Sequence, residues 1–460
     1  MKTFWAPRAW VDAGWRDAVL LCVGADGHWL RIEPDVATPP PDATVLAGPV
    51  LPGLVDAHSH AFQRAFAGLA ERRADEEDDF WSWRDRMYGL ALRITPAQLR
   101  VVAAQLCVEL LRGGYTQLCE FHYLQHQPDG SPYEDPLALG WAVSDAAAEA
   151  GIGLTLLPVL YCRAGFGVSG LRDEQRRFRS SPAGVWEASR RFASAGRALQ
   201  GAGLAIHSLR AAAAGDIAAL LALAGDADIP IHIHVAEQRR ELQECEATTG
   251  LSPIAWLARQ GWLDPRWQLV HATHASTAEI AQVAERGAGV VLCPGTEANL
   301  GDGFCNLRAL LDAGVALGIG SDSHVTRGWV EELRWLEYGQ RLRTERRNVA
   351  AAPYREPSTA ARLFDTARAA GAAAAGFPCW GLQPGARADF LVLDTACSGL
   401  HGVPLGHTLD ALVFATQGGA IRDVFVAGQQ RIARGRHARE EEIAQAFAAV
   451  MAQLWEQAPG

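Results

Sequence analysis

The sequence predicts an α/β protein, a (β/α)8 TIM barrel with a small β-sandwich domain formed by both ends of the chain. Three observations support this fold. Short apolar runs alternate with helical segments through the middle of the chain, several of these runs end in polar residues, and both chain ends carry short β-like stretches separated by turn residues. We therefore expect residues 51–376 to form the barrel, and residues 1–50 and 377–460 to form the second domain with a terminal helix.

Eight segments have the pattern of buried barrel strands. Each is short and apolar, and a segment with helical periodicity separates it from the next. Because eight parallel strands close a barrel of this type, the number of segments favours the fold. The predicted strands are Leu51 to His60, Thr116 to Tyr123, Gly153 to Tyr161, Leu204 to Leu209, Pro230 to Glu237, Trp267 to His274, Gly289 to Pro294 and Ala316 to Ser323.

The regions outside the predicted barrel strands have other sequence patterns. Near the N-terminus, two apolar stretches flank the turn residues Gly24 to Gly27, which predicts a hairpin. Similar stretches return after residue 377, and Glu440 to Trp455 has the spacing of a surface helix. The stretch Gln63 to Met87 is expected to be a long loop after the first strand, and its charge run Glu71 to Asp79 is typical of a solvated loop or lid.

Composition limits the classes of function. The chain has 460 residues, 49% of them hydrophobic, and a formal charge of -10 without a block of Lys or Arg, which argues against a nucleic-acid surface. Its nine cysteines are scattered and form no Cys-x-x-Cys pair, as expected of reduced thiols. The first residues do not resemble a signal peptide, and no apolar run reaches about 18 residues. We therefore expect a soluble cytoplasmic protein with no membrane or nucleic-acid partner.

Histidines at the ends of predicted strands are the clearest chemical signal. On a strand, side chains at i and i+2 point to the same face, so His58 and His60 can bind one metal ion. In the second His-x-His pair, His234 is nearer the C-terminal end and is the expected ligand, while His232 is expected to be an interior residue. Asp322, on the last predicted strand, adds a carboxylate.

These four ligands are expected to converge, because the C-terminal ends of barrel strands build the active site. One such histidine pair alone would be weak evidence, since strand histidines are more often ordinary polar residues. The full set suits zinc with a water molecule in the open position. Lys2 is the only lysine of the chain, so no carboxylated barrel lysine can bridge two metals, and the sequence predicts one divalent ion per chain.

Two further residues are expected to move protons. Zinc lowers the pKa of a bound water to about 7, which gives hydroxide at neutral pH. His271 also ends a strand-like run and is expected to orient or deprotonate this water together with Asp322. Glu237, three residues beyond His234, is placed to shuttle a proton to a nitrogen of the substrate. The alternative for Glu237 is an ordinary surface carboxylate.

Several motifs resemble the amidohydrolase superfamily, in its mononuclear deaminase branch. They are, in the order of that branch, Val50 to His60, His234 with Glu237, His271, Gly320 to Ser323 and Pro384 to Phe390. A closer resemblance is to the N-formimidoyl-L-glutamate deiminase family of histidine degradation. Its motifs are similar to His58 to Ala65, Phe80 to Asp85, Glu120 to Tyr123, His207 to Arg210, Thr296 to Gly303 and Glu331 to Arg341.

This resemblance implies a homodimeric, zinc-dependent hydrolase. In the implied reaction, hydroxide attacks the formimidoyl carbon, and N-formyl-L-glutamate and ammonia are released. The resemblance also implies that Gln63, Arg84, Tyr123, His207 and Arg210 bind the substrate. These residue types suit a molecule with two carboxylates, because arginine pairs with carboxylates bidentately while tyrosine and glutamine add neutral hydrogen bonds.

Two other functions remain open from the sequence. The first is deamination of a ring, as in guanine, cytosine or S-adenosylhomocysteine, because that class shares the metal ligands and the glutamate. Purine sites need few arginines, so Arg84 and Arg210 would then lack a partner. The second is a non-catalytic scaffold that keeps the barrel, against which the intact set of ligands and proton carriers argues.

Overall fold

Strands and helices alternate along the chain in the computed structural model, which describes residues 1–73 and 78–456. The strands are β1 (Lys2–Val11), β2 (Gly14–Val23), β3 (Trp29–Glu33), β4 (Thr44–Val45), β5 (Val50–Pro52), β6 (Leu54–Ser59), β7 (Tyr115–His122), β8 (Gly153–Leu160), β9 (Gln200–Ala202), β10 (Leu204–Ile206), β11 (Ile231–Val235), β12 (Trp267–His271), β13 (Gly289–Leu292), β14 (Ala316–Ile319), β15 (Phe390–Leu393), β16 (Ile421–Val426), β17 (Gln429–Ala433) and β18 (Arg436–His437).

Helices connect and cover these strands. They are α1 (Phe80–Ala91), α2 (Pro96–Arg112), α3 (Ala138–Ala150), α4 (Pro182–Ala193), α5 (Ala214–Ala224), α6 (Arg239–Thr249), α7 (Pro253–Gln260), α8 (Thr277–Arg286), α9 (Pro294–Leu300), α10 (Leu307–Asp312), α11 (Trp329–Thr344), α12 (Thr359–Ala375), α13 (Thr408–Ala415) and α14 (Glu440–Glu456). Short 3-10 turns occupy Ala61–Ala65, Asp173–Phe178 and Leu405–His407. None of the helices in the described ranges combines the length and apolar character that crossing a membrane requires.

The barrel follows the predicted alternation. Its parallel strands run in the order β6, β7, β8, β10, β11, β12, β13, β14, eight of them within the described residues, and β9 adds to β8 at the side. Between β14 and β6 the ring closes through a bridge of Ser59 with Asp322. There the amide of Asp322 donates to the carbonyl of His58 (2.9 Å) and that of His60 to the carbonyl of Asp322 (3.2 Å). The predicted barrel is confirmed.

The first predicted strand is wrong in one respect, because it is two strands. β5 pairs with β15 in the second sheet, with Leu51 opposite Leu391, and only β6 belongs to the barrel. Gly53 lies between them, where an added β-carbon would overlap the side chain of Thr116. The run is apolar on both sides of Gly53, so its pattern gives no sign that the chain changes sheets.

Both chain ends build the second sheet, as predicted. Its order is β18, β17, β16, β15, β5, β1, β2, β3, and β4 pairs with β1. Aromatic rings fill its core: Phe390 stacks on Phe425 with ring centres 4.3 Å apart, and Phe4 meets both rings edge-on. α14 confirms the predicted C-terminal helix, and Trp455 donates from its indole to the carbonyl of Ala65 (3.1 Å). The domain limits at residues 50 and 376 stay predictions.

The predicted loop Gln63 to Met87 is shorter than expected. α1 begins at Phe80, because the carboxylate of Asp79 accepts hydrogen bonds from the amides of Trp81 and Ser82 and so caps the helix. Asp79 had been grouped with the charge run Glu71 to Asp79, of which residues 74–77 lie outside the described residues. The cap signal was therefore present in the sequence but was interpreted only as charge.

Candidate active site

Three histidines meet at the C-terminal end of the barrel. The Nε2 atom of His58 lies 3.2 Å from Nε2 of His60 and 3.0 Å from Nε2 of His234. The Oδ1 atom of Asp322 lies 3.6 Å from Nε2 of His58 and 3.4 Å from Nε2 of His60. Bonds of about 2.05 Å to a tetrahedral zinc ion separate neighbouring ligand atoms by about 3.3 Å. The three histidines therefore fit one small divalent ion, and Asp322 lies beside two of them.

The hydrogen bonds of these histidines leave their Nε2 atoms free for a metal. Nδ1 of His60 contacts the carbonyl of Phe121 (3.0 Å), and Nδ1 of His234 contacts the carbonyl of His207 (2.9 Å). A carbonyl only accepts, so each Nδ1 carries the hydrogen and each Nε2 keeps its lone pair. Nδ1 of His58 has no hydrogen-bond partner among the described residues.

Burial keeps the three histidines neutral. It lowers the pKa of His60 to about 3, and the neighbouring His58 lowers it further in the same direction. Burial likewise holds the pKa values of His58 and His234 well below their usual value. A neutral imidazole is the form that binds a metal ion.

His271 lies on the other side of Asp322. Its Nε2 atom is 3.6 Å from Oε1 of Glu237 and 3.8 Å from Oδ2 of Asp322, and its Nδ1 atom is 3.3 Å from Oε1 of Glu297. Burial alone would lower its pKa, but the carboxylates of Glu237, Glu297 and Asp322 outweigh burial and raise it to about 10. His271 is therefore cationic at neutral pH, which favours orienting a water over deprotonating it.

Glu237 is buried among other charged groups and is not on the surface. Its Oε2 atom lies 3.9 Å from Nη2 of Arg210, and its amide donates to Oε2 of Glu241 (3.1 Å). Burial raises the pKa of Glu237 to about 7, against the opposing effect of His271 and Arg210. A carboxyl group with such a pKa can both accept and release a proton near neutrality.

Left-handed backbone conformations cluster where these residues leave their strands. The φ angle is 53° at Ala236, 72° at His271, 47° at Ala272 and 50° at Asp322. Non-glycine residues rarely adopt such angles, at a cost of about 1–3 kcal/mol each, and they do so mainly at functional sites. The turns aim the side chains of His271 and Asp322 into the barrel mouth.

A cavity opens above these groups and contains every predicted substrate-binding residue. Nε2 of Gln63 donates to the hydroxyl of Tyr123 (3.0 Å), while Oε1 of Gln63 is buried without a partner among the described residues. His207 stacks edge-on against Tyr123, with ring centres 5.5 Å apart. The cavity lining includes His60, Gln63, Arg84, Tyr123, His207, Arg210, His234, Glu237, His271 and Asp322.

Both predicted arginines lie against one indole ring. The guanidinium carbon of Arg84 lies 4.6 Å from the ring centre of Trp81, and that of Arg210 lies 5.3 Å from the same centre. Arg240 adds a third contact at 4.5 Å. Nε of Arg84 and Nε of Arg210 are buried and lack hydrogen-bond partners among the described residues. Both guanidinium groups line the cavity, and each has one carboxylate nearby: Asp85 lies 3.6 Å from Nη2 of Arg84, and Glu237 lies 3.9 Å from Nη2 of Arg210.

Some site residues were not predicted individually. Glu297, which contacts His271, lies inside the quoted motif Thr296 to Gly303 but had no role. Tyr161 lines the cavity directly after β8, so the rule that barrel strand ends carry the site could have identified it. Trp81 and Tyr88 come from α1, and no spacing rule connects a helix after a loop with the site.

Comparison with known proteins decides the family. The family model described as "Amidohydrolase family" matches residues 50–431. The chain belongs to the amidohydrolase family. The predicted family and the predicted enzyme class, a hydrolase, are thereby confirmed, and the scaffold alternative loses its support.

Individual relatives agree over the full length. The chain is 46% identical to the formimidoylglutamate deiminase of Pseudomonas aeruginosa over 99% of this chain and 100% of that protein. It is 28% identical to a 5-methylthioadenosine/S-adenosylhomocysteine deaminase of Natronomonas pharaonis, over 83% of this chain and 80% of the relative. The crystal structure of an amidohydrolase from Brucella melitensis superimposes with a TM-score of 0.93 at 41% identity, covering 99% of this chain and 100% of that one.

A more distant structure shows the same fold. An adenosine deaminase from Xanthomonas campestris, crystallised with bound zinc, has a TM-score of 0.81 at 22% identity and covers 99% of this chain and 98% of its own. The barrel with its second sheet is thus shared with a protein that differs widely in sequence.

Proposed function

We propose that this protein is a metal-dependent deiminase that hydrolyses N-formimidoyl-L-glutamate to N-formyl-L-glutamate and ammonia. The observation that carries the proposal is one cavity with candidate metal ligands at its floor and two arginines, Arg84 and Arg210, in its wall. The full-length 46% identity to the formimidoylglutamate deiminase of P. aeruginosa supports it.

The metal centre is proposed to hold one Zn²⁺ on His58, His60, His234 and Asp322. When bound, such an ion lowers the pKa of a water molecule to about 7 and so supplies a nucleophile. The three neutral imidazoles and the single carboxylate match the ligand preferences of zinc.

Proton transfer is assigned to Glu237. The reaction adds water across the C=N bond of the formimidoyl group, and both hydrogens of that water end on the departing nitrogen. Glu237 takes each proton and passes it to this nitrogen, after which the C–N bond breaks and ammonia leaves. His271 stays protonated, because Glu297 and Glu237 flank its two ring nitrogens, and it orients the attacking water together with Asp322.

Substrate recognition is assigned to the wall of the cavity. Arg84 and Arg210 line the cavity and are proposed to pair with the two carboxylates of the substrate. Gln63, Tyr123 and His207 lie on the same cavity and add neutral hydrogen bonds. The amidine end of the substrate then faces Glu237.

The ring-deaminase alternative explains less of the cavity. A neutral purine offers no carboxylate to Arg84 and Arg210, whose cationic groups line the cavity. The identity of the chain to the S-adenosylhomocysteine deaminase of N. pharaonis is also lower, at 28%.

The test is ammonia release by the purified, zinc-loaded protein. N-formimidoyl-L-glutamate is compared with N-formimidoylglycine, which lacks one carboxylate, and with S-adenosylhomocysteine and guanine. We expect the highest kcat/KM for N-formimidoyl-L-glutamate and a marked loss for the glycine analogue. Faster release from either purine compound would reject the proposal in favour of the ring-deaminase alternative.

Location and assembly stay predictions. All nine cysteines lie within the described residues and are free thiols, which supports a cytoplasmic protein. The homodimer was implied by the family resemblance, and light scattering of the purified protein measures it directly.

A further inference from the structure

The metal ligands lie on both sides of the place where the barrel closes. His58 and His60 belong to the end of β6, and Asp322 follows β14. Among the described residues, the backbones of these two strand ends exchange hydrogen bonds only at the bridge of Ser59 with Asp322. The spacing of the ligand atoms therefore depends on whatever else ties the two strand ends together.

The first contacts that connect the two strand ends are made by the buried side chains of Ser59 and His324. Ser59 stands between the two ligand histidines, and its hydroxyl donates to Oε2 of Glu120 on β7 (2.7 Å). The same hydroxyl oxygen lies 3.3 Å from Nε2 of His324, which follows β14. The other carboxylate oxygen of Glu120 accepts the amide of Ala61 (2.8 Å), one residue beyond His60.

Further contacts connect His324 back to β6 through Ser321 and Asp56. Nδ1 of His324 lies 3.0 Å from the hydroxyl of Ser321, the residue before Asp322. That hydroxyl contacts Oδ2 of Asp56 on β6 (2.5 Å), and the amide of Ser321 donates to Oδ1 of Asp56 (2.8 Å). One continuous relay of buried polar contacts thus runs Glu120, Ser59, His324, Ser321, Asp56 and crosses from β6 to the end of β14 and back.

This relay is fully enclosed. Ser59, Asp56, Ser321 and His324 have no exposed surface, and Glu120 has 1%. None of the five residues lines the cavity in the described part of the chain. On a strand, neighbouring side chains point to opposite faces, so Ser59 points away from the face on which His58 and His60 meet. The relay therefore cannot touch the substrate and acts only through the residues beside it.

We propose that the relay of Glu120, Ser59, His324, Ser321 and Asp56 is a positioning device that sets the spacing between His58, His60 and Asp322 before the metal ion binds. Each contact in such a buried network restricts the relative positions of the two elements that it joins. Groups behind metal ligands typically change metal affinity by about 10- to 100-fold when they are removed. This inference rests on the metal site of the proposed function.

The experiment removes the two serine hydroxyls singly and together. Ser59→Ala and Ser321→Ala are small changes that leave every ligand in place. Zn²⁺ affinity is measured by chelator competition on the full chain, and the Co²⁺-loaded proteins are compared by their visible absorption. Each single variant is expected to bind Zn²⁺ about 10- to 100-fold more weakly and to show altered Co²⁺ bands, with an unchanged KM for substrate.

The double variant tests whether the two serines belong to one relay. Because both bind His324, breaking either contact already loosens it, so the double variant should lose less affinity than the product of the two single losses. Ser144→Ala is the matched control, since Ser144 is a buried serine of α3 that hydrogen-bonds to Gln200 and Arg197 away from the site. The control should keep both the affinity and the Co²⁺ spectrum.

The outcomes separate this inference from the function on which it rests. If the wild-type protein binds no divalent ion tightly, the proposed metal centre fails. If the wild-type protein binds zinc but the serine variants match it, or if the losses simply multiply, the relay does not position the ligands. A loss of the same size in Ser144→Ala would also overturn the inference, because the effect would then be general destabilisation.

Discussion

The metal end and the recognition end of the cavity are built in different ways. His58, His60, His234 and Asp322 lie on barrel strands or within three residues of their ends, and backbone carbonyls fix two of the imidazoles. At the proposed recognition end, Tyr123 and His207 also follow strands directly, but a further residue comes from outside the barrel strands. Arg84 comes from α1, and its guanidinium packs on the ring of Trp81 rather than on a strand.

The proposed chemical step and the proposed substrate recognition therefore use residues from different parts of the fold. The proposed metal ligands come from the ends of barrel strands. Of the proposed recognition residues, Arg84 comes from α1, which lies between the first barrel strand and α2 and outside the barrel hydrogen bonds. Mutations in the two regions should therefore affect different quantities: metal content and kcat at the one, KM and substrate choice at the other.

The largest effect is expected from removing a ligand. His234→Ala should take the metal content from about one ion per chain to near zero and lower kcat by at least about 10³-fold, because the nucleophile no longer forms at neutral pH. Elemental analysis and ammonia release measure both quantities. His232→Gln is the control on the same strand, since His232 points to the carbonyl of Ala374 (2.9 Å). Full metal content in His234→Ala would contradict the assigned ligand set.

The next effect is on proton transfer alone. Glu237→Gln should keep the metal and lower kcat by about 10² to 10⁴-fold, the usual contribution of a general acid or base. Glu244→Gln, which removes a carboxylate of α6 that pairs with Arg240, should change nothing. A Glu237 variant that loses activity only in proportion to lost metal would show that Glu237 supports the centre and does not carry the proton.

A smaller effect is expected at the recognition end. Arg210→Met should lower kcat/KM for N-formimidoyl-L-glutamate by about 10- to 150-fold, equivalent to about 1.5–3 kcal/mol for a charged hydrogen-bond partner. Its metal content should not change. Arg240→Met is the matched control, because Arg240 also lies on Trp81 but pairs with Glu244. Equal losses of kcat/KM in the two variants would contradict the proposal that Arg210 binds a carboxylate of the substrate.

The smallest effect concerns the indole ring itself. Trp81→Leu should raise KM by about two- to fivefold, because each exposed cation–π contact contributes about 0.5–1 kcal/mol. Its kcat should stay close to that of the wild type, and Trp81→Phe should recover most of the loss. A Trp81→Leu variant that changes kcat without KM would contradict the division between the two ends of the cavity.

Much of the ligand end could be predicted because strand geometry is local. The i, i+2 rule placed His58 and His60 on one face, and the barrel rule selected His234 over His232. In the structure, His234 contacts His58 while His232 points to the carbonyl of Ala374, and the ligand assignment itself stays a prediction. The same local reasoning missed the change of sheet at Gly53, where both neighbouring segments are equally apolar.

By itself, the sequence determined the barrel, the second sheet from both ends, the donor types at the strand ends and the family. Only the tertiary structure decided which groups meet across the chain. Glu297 beside His271, Trp81 beneath Arg84 and Arg210, and His324 between Ser59 and Ser321 join residues far apart in sequence. Periodicity records which face of an element is buried, whereas such contacts depend on how elements pack against one another.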